Sequence, residues 1–300
     1  MSCPFSTAWT VTPLRGVELE SESDLELDGG LALVPRNETL LAAREHLYLA
    51  QVQYDDIGRA PWFLVLRTPQ PAYQFADLTA CVESLQDALM AFQVVKPVET
   101  YGFIFQGIQE DDSSVRWGST NIRLPMSAGS WSRIRAFDER LLGDARSMLG
   151  RLREAMNGSD IGKRNAVHLL QLALEHTHPY VACLLAVTGI EAVLQSGGKK
   201  QFKKDLCGLL GSSTLAFPDW NSPGFRPLKY TVRELAGPLY TLRSKIAHGA
   251  NLTRSSFDRN SPLDLMQAKE YIDGADPVVY AHLLSESSIY LLGQVLQKVL

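Results

Sequence analysis

The spacing of apolar residues changes partway along this chain, and that change limits its possible folds more than any other feature. In the first half they fall in short runs with β-branched and aromatic members, bounded by Gly, Pro or acidic clusters. That is the pattern of strands separated by turns. In the second half they recur every three or four residues, as in helices that bury one face. The expected fold class is α+β: a mixed α/β domain over 1–128, then an all-α helical bundle over 129–300.

Strands are expected over 9–12, 31–34, 62–66, 101–105 and 115–124, with a turn at 110–114. Helices are expected over 38–49, with Asn37 as N-cap, and over 78–92, with Asp77 as N-cap. In the second half the first helix covers 131–156, bridges the halves and stops at Asn157-Gly158. Helices over 165–175, 180–195 and 202–210 follow, the first two separated by His176-Thr-His-Pro179. Three prolines and three aromatics make 214–227 an irregular loop. A helix begun by Gly237-Pro238 ends at Gly249, because proline suits a first turn and glycine a left-handed stop. The last helix starts at Pro277, with Asp276 as N-cap. It carries the apolar stripe Leu283, Leu284, Leu291, Leu292, Val295, Leu296 and Val299.

At 45% hydrophobic and 21% charged, the composition is that of an ordinary globular protein. The N-terminus lacks the basic and apolar regions of a secretory signal, and the apolar run at 181–187 is too short to span a bilayer. A cytoplasmic chain with no membrane partner is expected. Cys3, Cys81, Cys183 and Cys207 are scattered, as in reduced thiols. No phosphate-binding loop, dinucleotide fingerprint, nucleophile elbow or paired-cysteine motif is present, so no cofactor and no metal are expected. Residues 1–150 carry 12 Lys and Arg against 20 Asp and Glu, and the rest carry 17 against 13. The second half is therefore the basic one, and it tolerates a polyanion.

Within that basic half, Arg243-Ser-Lys-Ile-Ala-His248-Gly249 stands out. Arginine grips phosphate oxygens in a bidentate fork at any physiological pH. Histidine exchanges a proton near neutrality. Together they are what metal-free RNA cleavage needs. Five residues apart, they stand roughly 140° from each other around an ideal helix, so they share a face only if the last turn unwinds. A structural role is open to each: His248 as a C-cap, and Arg243 as the ion-pair partner of Glu191. Lys199, Lys200, Lys203 and Lys204 form a cluster suited to an RNA backbone or to plain solvation. His176 and His178 have no third ligand with suitable spacing. Trp220, Phe225 and Tyr230 suit base stacking or packing over the bundle.

The Arg243–His248 segment resembles the Arg-x4-6-His motif of the HEPN family (higher eukaryotes and prokaryotes nucleotide-binding domains), closest in flavour to its ApeA-like group. The stretch Ala186-Val-Thr-Gly-Ile-Glu191-Ala-Val-Leu194 resembles the family's apolar–Glu–apolar helix, and 203–210 its next short helix. The likeness covers about residues 150–300. Many active members carry Asn, Asp or His after the arginine, where this chain has Ser244. The resemblance implies a metal-independent endoribonuclease whose sites form across a homodimer of the C-terminal domain. In that scheme His248 acts on the ribose 2′-OH or the leaving 5′-oxygen, and Arg243 binds the scissile phosphate. Ser244, Lys245 and Glu191 support them. It also implies a toxin-like or anti-phage role, with RNA as partner and the N-terminal domain as sensor or docking site for a regulatory protein or ligand. The alternative is a non-catalytic dimer that binds RNA, nucleotide or a protein.

Overall fold

The computed structural model describes residues 5–17, 19–47, 51–71, 74–96, 98–110, 114–123, 139–176, 178–217, 230–249 and 277–300. The chain is α+β and divides into two compact units, Met1–Leu149 and Gly150–Leu300. The boundary expected at 128/129 lies outside the described residues.

The first unit is built on a seven-stranded sheet with the path β2-β3-β4-β1-β6-β7, and with β5 paired to β1. The strands are β1 (Phe5–Arg15), β2 (Leu25–Asp28), β3 (Leu31–Pro35), β4 (Trp62–Pro71), β5 (Glu99–Thr100), β6 (Phe103–Glu110) and β7 (Val115–Arg123). All their pairings are antiparallel. The long β1 lies in the middle, with Val11 opposite Val65 on one side and Phe105 on the other. Helices α1 (Glu38–His46) and α2 (Gln51–Arg59) cover one face of the sheet. There Leu40, Ala43 and Ile57 join Trp9, Val11, Val34, Phe63, Val65, Phe105 and Trp117 in one core. Trp117 stands edge-on to both Trp9 and Phe105, with centroids 6.2 and 5.2 Å away. The alternate positions Leu31, Leu33, Leu64, Leu66, Ile104 and Ile108 are buried as well. Helix α3 (Leu78–Val95) packs on β4 and buries Leu85, Leu89 and Phe92.

Asn37 and Asp77 cap α1 and α3, accepting from the N–H groups of Leu40 (3.0 Å) and Thr79 (2.9 Å). The helix expected over 38–49 stops at His46, and α2 was not expected at all. Its sequence is mostly polar, and of its described side chains only Asp56 and Ile57 are buried, so it shows no apolar stripe. β2 was missed too, because its four residues include no β-branched or aromatic member and are too few for their alternation to stand out. Only the middle of the 110–114 turn lies outside the described residues.

The second unit is helical. α4 (Glu139–Asn157) crosses the unit boundary; α5 (Ile161–Glu175), α6 (Pro179–Leu194), α7 (Lys199–Leu210), α8 (Val232–Ala247) and α9 (Pro277–Val299) follow. The expected start of the first helix at 131 lies outside the described residues, as do Asp276 and most of the 214–227 loop. α6 is the centre of this unit: α5, α7, α8 and α9 all pack on it. It buries Ala182, Cys183, Ala186, Val187 and Ile190, and α9, which packs on it, buries Leu284, Leu291, Leu292, Val295 and Leu296. Leu283 lies outside the described side chains, and Val299 is half-buried.

The start of α8 expected at Gly237-Pro238 is corrected. The helix begins at Val232, and Pro238 lies in its interior. The cause is a capping box one and a half turns earlier: Thr231 N–H and Oγ both donate to Glu234 Oε2 at 2.8 Å. Those donors hold the Glu234 carboxyl below its ordinary value. A satisfied N-terminus at Thr231 outweighs the preference of proline for a first turn.

Candidate functional site

Arg243 is held by two elements. On α8 it lies one turn after Tyr240, with its guanidinium carbon 5.9 Å from that ring. Across the bundle its Nη2 reaches Glu191 Oε2 of α6 at 2.7 Å. The side chains are 26% and 14% exposed, so the pair sits at the margin of the core. Glu191 follows the buried Ala186, Val187 and Ile190 along α6, which sets its carboxylate at the edge of the apolar seam with α8. Burial pushes its carboxyl above the ordinary value, and the Arg243 guanidinium opposes that push. The ion pair leaves Arg243 Nε buried without a hydrogen-bond partner among the described residues.

His248 is exposed and is the last residue to bond in α-helical fashion: its N–H donates to Ser244 O at 3.1 Å. Gly249 then turns left-handed, with φ +65°, and its N–H bonds back to Ile246 O. The last turn therefore does not unwind between Arg243 and His248. Among the described residues no hydrogen bond or ring contact joins them. The unwinding that would put them on one face is absent, because the glycine acts only after the histidine. Arg243 leans inward to α6 while His248 stands at the solvent-facing end of α8.

Ser244 and Lys245 are half-buried beside Arg243, and Lys245 is the basic residue of the last turn. The four lysines of α7 are all exposed. They do not form one group. Lys199 and Lys203 lie over Gly237 of α8, where a β-carbon on the glycine would meet Lys199 Cε at 3.4 Å and Lys203 Cδ at 4.0 Å. Lys200 and Lys204 occupy the next face round.

His178 is the residue before α6 and lies 5.7 Å from the Tyr180 ring; His176 ends α5. No group of three or more His, Cys, Asp or Glu residues could hold a metal ion among the described residues. Cys183, fully buried, has its thiol pushed up to about 12, which keeps it from acting as a nucleophile. Trp220 and Phe225 lie outside the described residues.

Two residues escaped the sequence reading. Tyr240 packs on Phe202 of α7 (centroids 5.3 Å apart) and positions Arg243; its spacing of three from the arginine was the available signal. Glu286 sits on α9 with both carboxyl oxygens buried and unpartnered among the described residues, and burial raises it to about 8. Its signal was an acid within three residues of Leu284 in an apolar stripe.

The described architecture is thus an α+β chain whose helical unit carries an arginine–glutamate pair and, on another face of the same helix, an exposed histidine. No family model, curated protein or solved structure matches the chain. No single helix among the described residues is long and apolar enough to cross a membrane.

Proposed function

We propose that the second unit is a metal-independent endoribonuclease of the HEPN kind, acting as a homodimer. One observation carries this reading. Arg243 is oriented by Glu191 and Tyr240, and five residues later α8 presents His248, exposed, at its end. In the reaction the ribose 2′-oxygen attacks the adjacent phosphorus as the P–O5′ bond breaks. An imidazole takes the 2′-OH proton, and an imidazolium returns one to the leaving 5′-oxygen. Arg243 holds a non-bridging phosphate oxygen as negative charge grows on it. Within one chain the two side chains stand on different faces of α8, so a second copy is needed to supply both near one phosphate. In this scheme Ser244, between them on the helix, donates a hydrogen bond to that phosphate. DNA lacks the nucleophile and is not a substrate. A toxin-like or anti-phage role, with the first unit as sensor or docking module, extends this reading.

The test is incubation of the purified protein with RNA in EDTA. Cleavage is expected to persist, and H248A to lower its rate by about 100-fold or more, the usual size of general acid–base assistance. His248 is exposed, so the substitution leaves the fold intact and the loss reads on chemistry. Cleavage abolished by EDTA, or unchanged in H248A, overturns the proposal.

The commitment of Arg243 to Glu191 favours a second reading, a non-catalytic bundle that dimerises and binds RNA, nucleotide or a protein. It predicts RNA binding without cleavage and no effect of H248A on any activity.

A further inference from the structure

The contact between α7 and Gly237 gives the basic cluster a direction. Gly237 and His248 are eleven residues apart, which is about three turns and returns to the same side of α8 after roughly 16 Å. Thr241 and Ser244 lie on that side between them, both half-buried. The Thr241 hydroxyl is turned back to Gly237 O at 3.0 Å. Lys199 and Lys203 cross this row at its Gly237 end, where the missing side chain lets their stems lie against the helix. Tyr240, half-buried on Phe202, borders the row and leads to Arg243. The nearby acids are engaged: Glu234 is turned back onto Thr231, and Asp205 accepts from Ser196 (2.9 Å) and Gln201 (2.6 Å).

We propose that this face of α8, entered between Lys199 and Lys203 and ending at His248, is a track for the backbone of single-stranded RNA. Its chemistry is a pair of cations at one end, the Ser244 hydroxyl further along and an imidazole at the other end, with Thr241 closed onto its own helix. That suits successive phosphates of one strand, which leave bases free and 2′-hydroxyls accessible. Lys199 and Lys203 contact phosphates several nucleotides from the bond that is cut, and Lys200 and Lys204, one face away, do not. The proposal deepens the ribonuclease reading and rests on it for the role of His248, but not for binding.

Binding is measured by fluorescence anisotropy with a labelled single-stranded RNA carrying 2′-O-methyl groups throughout, which blocks attack by the 2′-oxygen. For K199A/K203A the expected result is affinity about tenfold lower near 0.1 M salt, with the slope of log K against log salt shallower by about 1.4, two phosphate contacts on a single strand. K200A/K204A, which removes the same charge from the neighbouring face, is expected to change both by clearly less. No binding by the wild-type chain, no effect of K199A/K203A, or equal effects of the two pairs overturns the track. H248A separates this from catalysis. If K199A/K203A behaves as expected but H248A still cleaves unmodified RNA, the track stands and the ribonuclease chemistry falls. If H248A alone is inactive and the lysine pairs are equivalent, the chemistry stands and the track falls.

Discussion

One residue with clear leverage on stability is outside the candidate site. Glu286 holds its proton with a pKa of about 8, above its ordinary 4.5, because both oxygens are buried without partners among the described residues. Neighbouring hydroxyls are used elsewhere: Ser287 donates to Ala216 O and Ser288 to Ser285 O, each at 2.8 Å. The native state therefore binds this proton more tightly than the unfolded chain. The stabilisation it brings is complete below about pH 4.5 and fades as pH rises through about 8. E286Q keeps the shape and removes the titration. Urea unfolding at pH 5 and pH 9 should show the wild-type chain losing about 4 kcal/mol more than E286Q over that interval. Parallel profiles for the two would mean that the carboxyl is solvated or paired. Arg243 and Glu191 present the opposite case, two charges that answer each other at the core margin.

At the scale of elements, α8 contains a built-in weakness. Pro238 offers no N–H to the carbonyl of Glu234 four residues earlier, in a helix otherwise bonded from its capping box to His248. P238A restores that donor, and the urea midpoint should rise by an amount equivalent to about 1–3 kcal/mol. An unchanged or lower midpoint would show that the ring packs too well to lose. The same helix shows what a sequence discloses. Its end at Gly249 was legible because a left-handed stop is a one-residue property. Its start was not, because proline and capping box gave conflicting local signals and only the folded helix decides between them. The strands around Val11, Val34, Val65 and Phe105 were legible from β-branched and aromatic content. The insertion of β1 between β4 and β6 was not, since strand order is set by tertiary pairing. In the candidate site, Arg243 was named from the Arg-x4-His segment, and Glu191 from the likeness of its helix to that of the HEPN family. The contact of Lys199 and Lys203 with Gly237 needed coordinates, because a glycine does not announce what crosses it.

For the whole molecule, the separation of Arg243 and His248 around α8 makes oligomeric state the deciding quantity. Light scattering should return about twice the chain mass of 33.2 kDa at micromolar concentration. A monomer at all concentrations would leave no way to gather both groups at one phosphate. One edge of the first unit is poorly suited to self-association of another kind. β2 ends the sheet as a four-residue strand, with Glu26 and Asp28 on it and Arg67 paired to Asp24 and Glu26. The Glu26 carbonyl already receives Arg146 Nε at 2.6 Å. A foreign strand arriving there would find a short rim of ion-paired side chains with an acceptor already occupied. On that flank, fibril-like growth by edge addition has no template to copy.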